Sequence, residues 1–277
     1  MLIGVLGPLV MSVGGSPVVP SAAKPRQLLA LLASSAGRPV SMTEIVEELW
    51  EDRPPRGPSG VVQTYVKQLR RSIAAALAPG RADEAKEILG LTYTGYRLNP
   101  YGTRPGPAAP AAAASIEARD FEEYARRGTG ALAEGDDEEA SRLLGRGLTL
   151  WRGNAFADVR TGPALRAEAL RLEELRITAL ENRVTADLRL GRHAGLVSEL
   201  TALTSRLPLH ETLHGQLILA LYRCGRTTEA LEVFRRLREA YVRELGIEPT
   251  PRLQRLHRSV LVADPELDCP VPSLAAF

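Results

Sequence analysis

Over the first twenty residues, short apolar runs alternate with glycine, proline and serine, and residues 2–6, 9–13 and 17–19 read as three short strands of a small antiparallel sheet. Helical spacing then takes over. Ser21 is placed to cap a helix over residues 22–34, whose Leu28, Leu29, Leu31 and Leu32 form a buried stripe. Ser41 or Thr43 starts a second helix that runs to Trp50 with Ile45, Val46 and Leu49 inward. Pro54, Pro55 and Gly57 break the chain, and a longer helix follows over 59–77. Residues 88–93 and 96–98 flank Thr94-Gly95 and read as a hairpin. Strands, three helices and a terminal hairpin are the parts of a winged helix.

Residues 103–115, TRPGPAAPAAAAS, hold three prolines and six alanines and no large apolar side chain, so they cannot form a core and are read as a linker. Beyond them the pattern is helical to Pro265. Gly135, Gly191 and Gly225 each follow a helical stretch and are each followed nine residues later by Leu144, Leu200 or Phe234. Gly191 and Gly225 lie 34 residues apart, the tetratricopeptide period, and both precede arginine. In such a solenoid the glycine supplies a left-handed turn and the later apolar residue packs the second helix on the first. Ala230 holds the expected small position where the preceding unit has Leu196, so the repeats are degenerate. The expected fold class is an α+β winged helix-turn-helix domain (1–102), the linker, an all-α tetratricopeptide-like domain (116–265) and a tail (266–277).

Composition changes little in this picture. Apolar residues at 44% and charged residues at 25% match an ordinary soluble protein and exclude wholesale disorder. No apolar run reaches the ~18–20 residues of a membrane span, the N-terminus lacks a basic segment for secretion, and Cys224 and Cys269 stand in no metal-ligand spacing, which points to a reducing cytoplasm. Of 35 basic residues only Lys24, Lys67 and Lys86 are lysine, so the positive surface is mainly guanidinium.

Charge is segregated about the Pro-Pro break. Five acids and no base lie between Glu44 and Asp52, and six bases and no acid between Arg53 and Ala82. On a helical wheel Val62, Tyr65, Val66, Leu69, Ile73, Ala76 and Leu77 share one face of the 59–77 helix. Opposite them stand Gly60, Thr64, Lys67 and Arg71, flanked by Gln63, Gln68 and Arg70. A face that only needed solubility would mix both signs to gain i,i+4 pairs. This one holds cations for phosphates and the Arg and Gln types that read base edges in a major groove.

A rival chemistry is written at His210-Glu211-Thr212-Leu213-His214, an H-E-x-x-H in which two histidines would bind zinc and Glu211 activate water, with Glu232 as a further ligand. Pro208 sets His210 and Glu211 in the first turn of their helix, inside the repeat pattern, so Glu211 is read instead as an acid facing a helix dipole and no metal or other cofactor is expected. P-loop, G-x-S-x-G and G-x-G-x-x-G patterns are absent from the sequence, and no enzyme is expected. A scaffold without DNA readout is the other alternative.

The chain resembles the Streptomyces antibiotic regulatory protein family, transcription activators that join an OmpR-like winged helix to a bacterial transcriptional activator domain. The matching segments are LGPL (6–9), KPRQLLALLA (24–33), EELW (47–50), VQTYVKQLRRSI (62–73), GYRL (95–98), LTLWRGNAFADV (148–159), EALRLEELRITALE (168–181), ADLRLGRHAGLVSEL (186–200), LILALYRCGRTTEALEVFRRLR (217–238) and ELGIEPTPRLQRLH (244–257). The resemblance implies that Thr64, Lys67, Gln68 and Arg71 face base edges or phosphates of double-stranded promoter DNA, with Arg56 and Arg70 at the backbone. In the wing it points to Thr92 and Thr94, with Thr92 standing where such wings often carry arginine. It further implies binding to direct repeats in secondary-metabolite promoters, self-association on DNA, and contact of Glu51, Asp52 and Arg53 with RNA polymerase and its sigma factor.

Overall fold

A computed structural model describes residues 1–100 and 115–268. The linker over 103–115 therefore lies almost wholly outside the described residues, as do Cys269 and most of the tail. The chain divides into two compact units, residues 1–123 with 147–176, and residues 124–146 with 177–277.

In the first unit, strands β1 (Leu2–Gly4), β2 (Val10–Val13) and β3 (Ser16–Pro17) form an antiparallel meander, and β7 (Ser115–Ile116) adds to β1 in parallel, giving the order β3-β2-β1-β7. The fourth strand is invisible to alternation because it is two residues long. Helix α1 (Ala23–Ser34) buries Leu28, Leu29, Leu31 and Leu32 as the stripe requires. Ser21 does not cap it: the N-cap is Ala22, without a side-chain bond. Pro25 occupies the third helical position, so one of the N–H groups that a cap would satisfy does not exist.

Helix α2 (Met42–Trp50) opens on a capping box in which the Ser41 hydroxyl accepts from Glu44 N–H and Glu44 accepts from Ser41 N–H. Those bonds from Ser41 hold the Glu44 carboxyl below the usual carboxylate range. Helix α3 (Pro58–Ala76) starts one residue earlier than its pattern suggests, since Pro58 fits the first helical position after a left-handed Gly57.

A second sheet, in the order β4 (Pro39–Ser41), β6 (Gly95–Leu98), β5 (Leu89–Leu91), forms the wing. Its turn is Tyr93-Thr94 rather than Thr94-Gly95: Thr92 N–H donates to Gly95 O at 2.8 Å, and Leu91 pairs with Tyr96. Gly95 serves a different need, because a Cβ there would stand 2.1 Å from the carbonyl oxygen of Val40 on β4. Gly95→Ala is therefore expected to cost about 1–3 kcal/mol by overpacking. A thermal melt of the variant superimposing on that of the parent would contradict this packing.

Residues 147–176 belong to the first unit because they pack along β1 and the chain after it. Arg152 N–H donates to Leu6 O, Phe156 N–H to Val5 O, and Asp158 accepts from Leu9 N–H at 2.6 Å and from Arg26 at 2.9 Å. Phe121 meets Trp151 edge-on at 5.3 Å, and Arg176 lies over the same indole at 4.5 Å.

The second unit is helical: most of α5 (Glu117–Glu134) and α6 (Asp137–Leu148), the later turns of α7 (Pro163–Arg189), then α8 (His193–Arg206), α9 (Glu211–Arg223), α10 (Thr227–Leu245) and α11 (Pro251–Leu261). The three repeat glycines do what their spacing implies. Gly135, Gly191 and Gly225 have φ of 82°, 75° and 72°. After each, the next N–H reaches back across the helix end, Asp136 to Ala131 O, Arg192 to Asp187 O and Arg226 to Leu221 O, while the glycine N–H bonds three residues back. This is the Schellman closure repeated at three helix ends. Leu144, Leu200 and Phe234 are buried, the last two in a core with Leu217, Leu237 and Leu256.

Candidate nucleic-acid interface

Helix α3 is fixed by its apolar face. Val62, Val66, Leu69 and Ile73 are buried, and the helix packs on α1 and α2. Tyr65 is half-buried and stacks on Trp50, with ring centroids 6.5 Å apart. The opposite face is open: Gly60, Gln63, Thr64, Lys67, Gln68 and Arg71 are all exposed. Thr64 Oγ donates to Gly60 O within the helix, whereas the side chains of Gln63, Lys67, Gln68 and Arg71 have no intramolecular partner among the described residues. Lys67 and Arg71 stand one helical turn apart, and no carboxylate lies on the helix.

Arg70 is placed differently from its neighbours. It is half-buried and its Nε donates to Leu89 O on the wing strand β5 at 2.9 Å, so it ties the wing to α3. Arg56 is exposed in the turn before α3. In the wing, Thr92 Oγ accepts from Gly95 N–H and closes the turn, and Thr94 is exposed while its carbonyl accepts from Met42 N–H at the start of α2. The tip of the wing is Tyr93, fully exposed, with Leu91 70% exposed beside it. Thr94-Gly95 points one residue too late for this turn, so the position of Tyr93 at its tip leaves no signal in the local sequence.

The acids before α3 do not form one solvated group. Glu44 is spent in the capping box. Glu48 is 1% exposed. Its carboxylate accepts from Gly162 N–H at 2.6 Å, Ala164 N–H at 2.9 Å and Leu165 N–H at 3.1 Å, and from Gln27 Nε2 at 3.1 Å. Glu48 therefore caps the N-terminus of α7, where Pro163 has no N–H to leave unpaired. Glu51 pairs with Arg166 at 2.9 Å, both half exposed. Asp52 and Arg53 are exposed without side-chain partners among the described residues.

Residues 116–261 match the family described as the bacterial transcriptional activator domain, and residues 16–98 match the C-terminal domain of transcriptional regulatory proteins. The regulatory protein DnrI of Streptomyces peucetius is 44% identical over 276 residues, covering 100% of this chain and 97% of its own. The chain belongs to the Streptomyces antibiotic regulatory protein family of transcription activators. Another member-like relative, the transcriptional regulator RedD of Streptomyces coelicolor, is 34% identical over 97% of this chain and 72% of its own. A solved structure of Mycobacterium tuberculosis EmbR in complex with a low-affinity phosphopeptide superposes with a TM-score of 0.83 at 31% identity, covering 99% of this chain and 67% of that one.

Members of the family are transcription regulators rather than enzymes, and the H-E-x-x-H residues of this member are engaged elsewhere. His210 is the N-cap of α9 rather than part of it. His214 is buried, its Nδ1 lies 3.0 Å from His210 O, and burial pushes its pKa below the usual histidine value. Glu211 accepts from Thr250 N–H at 2.6 Å, and Glu232 is shared by Arg235 and Arg236, which hold its pKa near about 2. Among the described residues no cluster of three or more histidine, cysteine, aspartate or glutamate side chains is placed to hold a metal ion, and no helix is long and apolar enough to cross a membrane.

Proposed function

We propose that this cytoplasmic activator seats α3 in the major groove of double-stranded promoter DNA and binds direct repeats before secondary-metabolite genes, the protomers associating head to tail on the DNA. The 116–265 domain is tethered to the 1–102 winged helix through 103–115, and the turn at Glu51, Asp52 and Arg53 faces RNA polymerase and its sigma factor. One observation carries the reading: the exposed face of α3 presents Lys67, Gln68 and Arg71 unpaired and free of carboxylates on a rigidly packed helix. Held that way, the helix backbone loses little further entropy on meeting a duplex, and no side chain must first break an internal ion pair. Arg70 gives the wing a fixed position beside that helix, so Tyr93 and Thr94 reach the flanking minor groove while Arg56 takes phosphate.

Lys67→Ala and Arg71→Ala are each expected to weaken promoter binding. A residue that contacts only phosphate lowers affinity on all sequences and reduces the salt slope by about one unit; one that reads a base loses about 1–3 kcal/mol of discrimination at one position. Titration of a genomic promoter fragment by mobility shift measures both. Parental affinity in both variants would remove α3 from the interface.

A further inference from the structure

Helix α11 repeats, in the helical unit, the charge pattern of α3. Its sequence PRLQRLHRSVL contains no carboxylate. Leu253, Leu256 and Val260 are buried, and His257 stacks on Phe234 with ring centroids 3.9 Å apart, which fixes the inward face. Arg252, Arg255 and Arg258 are exposed on the outward face. At three-residue intervals they rise about 4.5 Å each, a line of roughly 9 Å.

These arginines differ from most others of the unit, although Arg127 and Arg206 are likewise exposed without a hydrogen-bonded or ion-paired partner among the described residues. Arg142, Arg183, Arg192, Arg226, Arg235 and Arg238 each lie 2.5–2.7 Å from a carboxylate oxygen. Arg252, Arg255 and Arg258 have no intramolecular partner among the described residues. Asp264, the next acid along the chain, accepts from Ser259 Oγ and Glu266 N–H instead. In a unit where arginine is routinely neutralised, three consecutive outward arginines left unpaired form a cationic stripe, and guanidinium suits phosphate by its planar fork.

We infer that Arg252, Arg255 and Arg258 on α11 form a second DNA-backbone contact, one that reads no bases and grips duplex outside the segment held by α3. Phosphates on one strand recur every ~3.4 Å of duplex axis but wind round it, so successive ones stand roughly 7 Å apart and the line, with its long side chains, meets about two or three of them. The inference rests on the DNA-binding function proposed above. Once the winged helix holds the duplex, the stripe meets phosphate at high effective concentration, and charge alone is enough to engage it.

The test uses the full chain and a mixed-sequence duplex of about 60 bp, with affinity measured from 50 to 200 mM NaCl. Arg252→Ala with Arg255→Ala and Arg258→Ala is expected to lower the slope of log K on log salt by about 2–3 units. The parental advantage should then shrink roughly 40-fold across that salt range, as a slope difference of about 2.7 requires. The triple Arg→Lys variant keeps the charge and should keep the slope. A parental slope in the alanine variant at an unchanged melting temperature overturns the inference and leaves the stripe to an acidic protein; loss of slope in the lysine variant overturns it too. If the alanine variant melts early, the triple Arg→Gln variant, which retains most of the side-chain stem, is measured by the same criteria. Failure of the parent chain itself to bind any duplex with salt dependence would instead overturn the proposed function.

Discussion

Glu48→Ala is expected to destabilise the protein by about 3–4 kcal/mol, more than any surface substitution on α3. The carboxylate is buried and takes three N–H groups from the start of α7 at 2.6, 2.9 and 3.1 Å. A hydrogen bond to a charged group contributes about 1.5–3 kcal/mol, and an orphaned buried donor costs a further desolvation penalty. Water could re-enter a truncated site and recover part of this, which keeps the sum well below three full bonds. Gln27, itself buried, would lose its partner as well, since its Nε2 bonds both the Glu48 carbonyl and the carboxylate. At roughly 2–4 °C per kcal/mol for a chain of this size, the apparent melting temperature should fall by about 10 °C. Glu48→Gln keeps the volume but turns an amide N–H₂ toward backbone donors, so about half the loss is expected. Differential scanning calorimetry of both variants decides the matter. A shift under about 2 °C for Glu48→Ala would show that α7 does not need this cap.

Gly162 reports the same packing from the other side, since a Cβ there would lie 2.1 Å from the Glu48 carbonyl oxygen. Neither residue could be assigned this role from the sequence. Glu48 sits among five acids and fits the helical wheel as a charged position; its partner lies 114 residues away along the chain. Local patterning sees α2 alone, and a capping carboxylate supplied by another segment leaves no periodic trace. The segments LGPL and LTLWRGNAFADV show the same limit. Each was visible as a motif, yet only the fold shows that Arg152, Phe156 and Ala157 donate N–H groups to Leu6, Val5 and Gly7. By contrast, the buried stripe of α3, the Ser41 cap and the three turn glycines were legible because each is decided within a few residues. The wing turn was misplaced for a related reason. Gly95 looked like a turn residue, but what demands glycine there is the close approach of β4 across the sheet.

The second large effect concerns activation. Glu51 is the C-cap of α2 at φ 53° and ψ −122°, and Arg53 N–H closes the turn onto Trp50 O at 3.0 Å. A non-glycine residue in that region costs about 1–3 kcal/mol, and its ion pair with Arg166, half exposed on both sides, returns about 0–1 kcal/mol. The turn is thus held in a strained form that the ion pair alone does not offset. Asp52 is exposed beside it without an internal partner among the described residues, and on the function proposed above carboxylates in this position are repelled by the phosphates that α3 meets. On the function proposed above they face the basic surfaces of polymerase and sigma factor. Glu51→Lys with Asp52→Lys is expected to leave promoter occupancy unchanged while transcript yield from purified polymerase falls at least about tenfold, the equivalent of roughly 1.4 kcal/mol of lost partner affinity. Asp52→Lys alone should account for most of the fall, because Glu51 is already engaged by Arg166. Occupancy by mobility shift and transcript yield are read on one template. Full activation by the double variant at equal occupancy would move the activating surface to the helical domain.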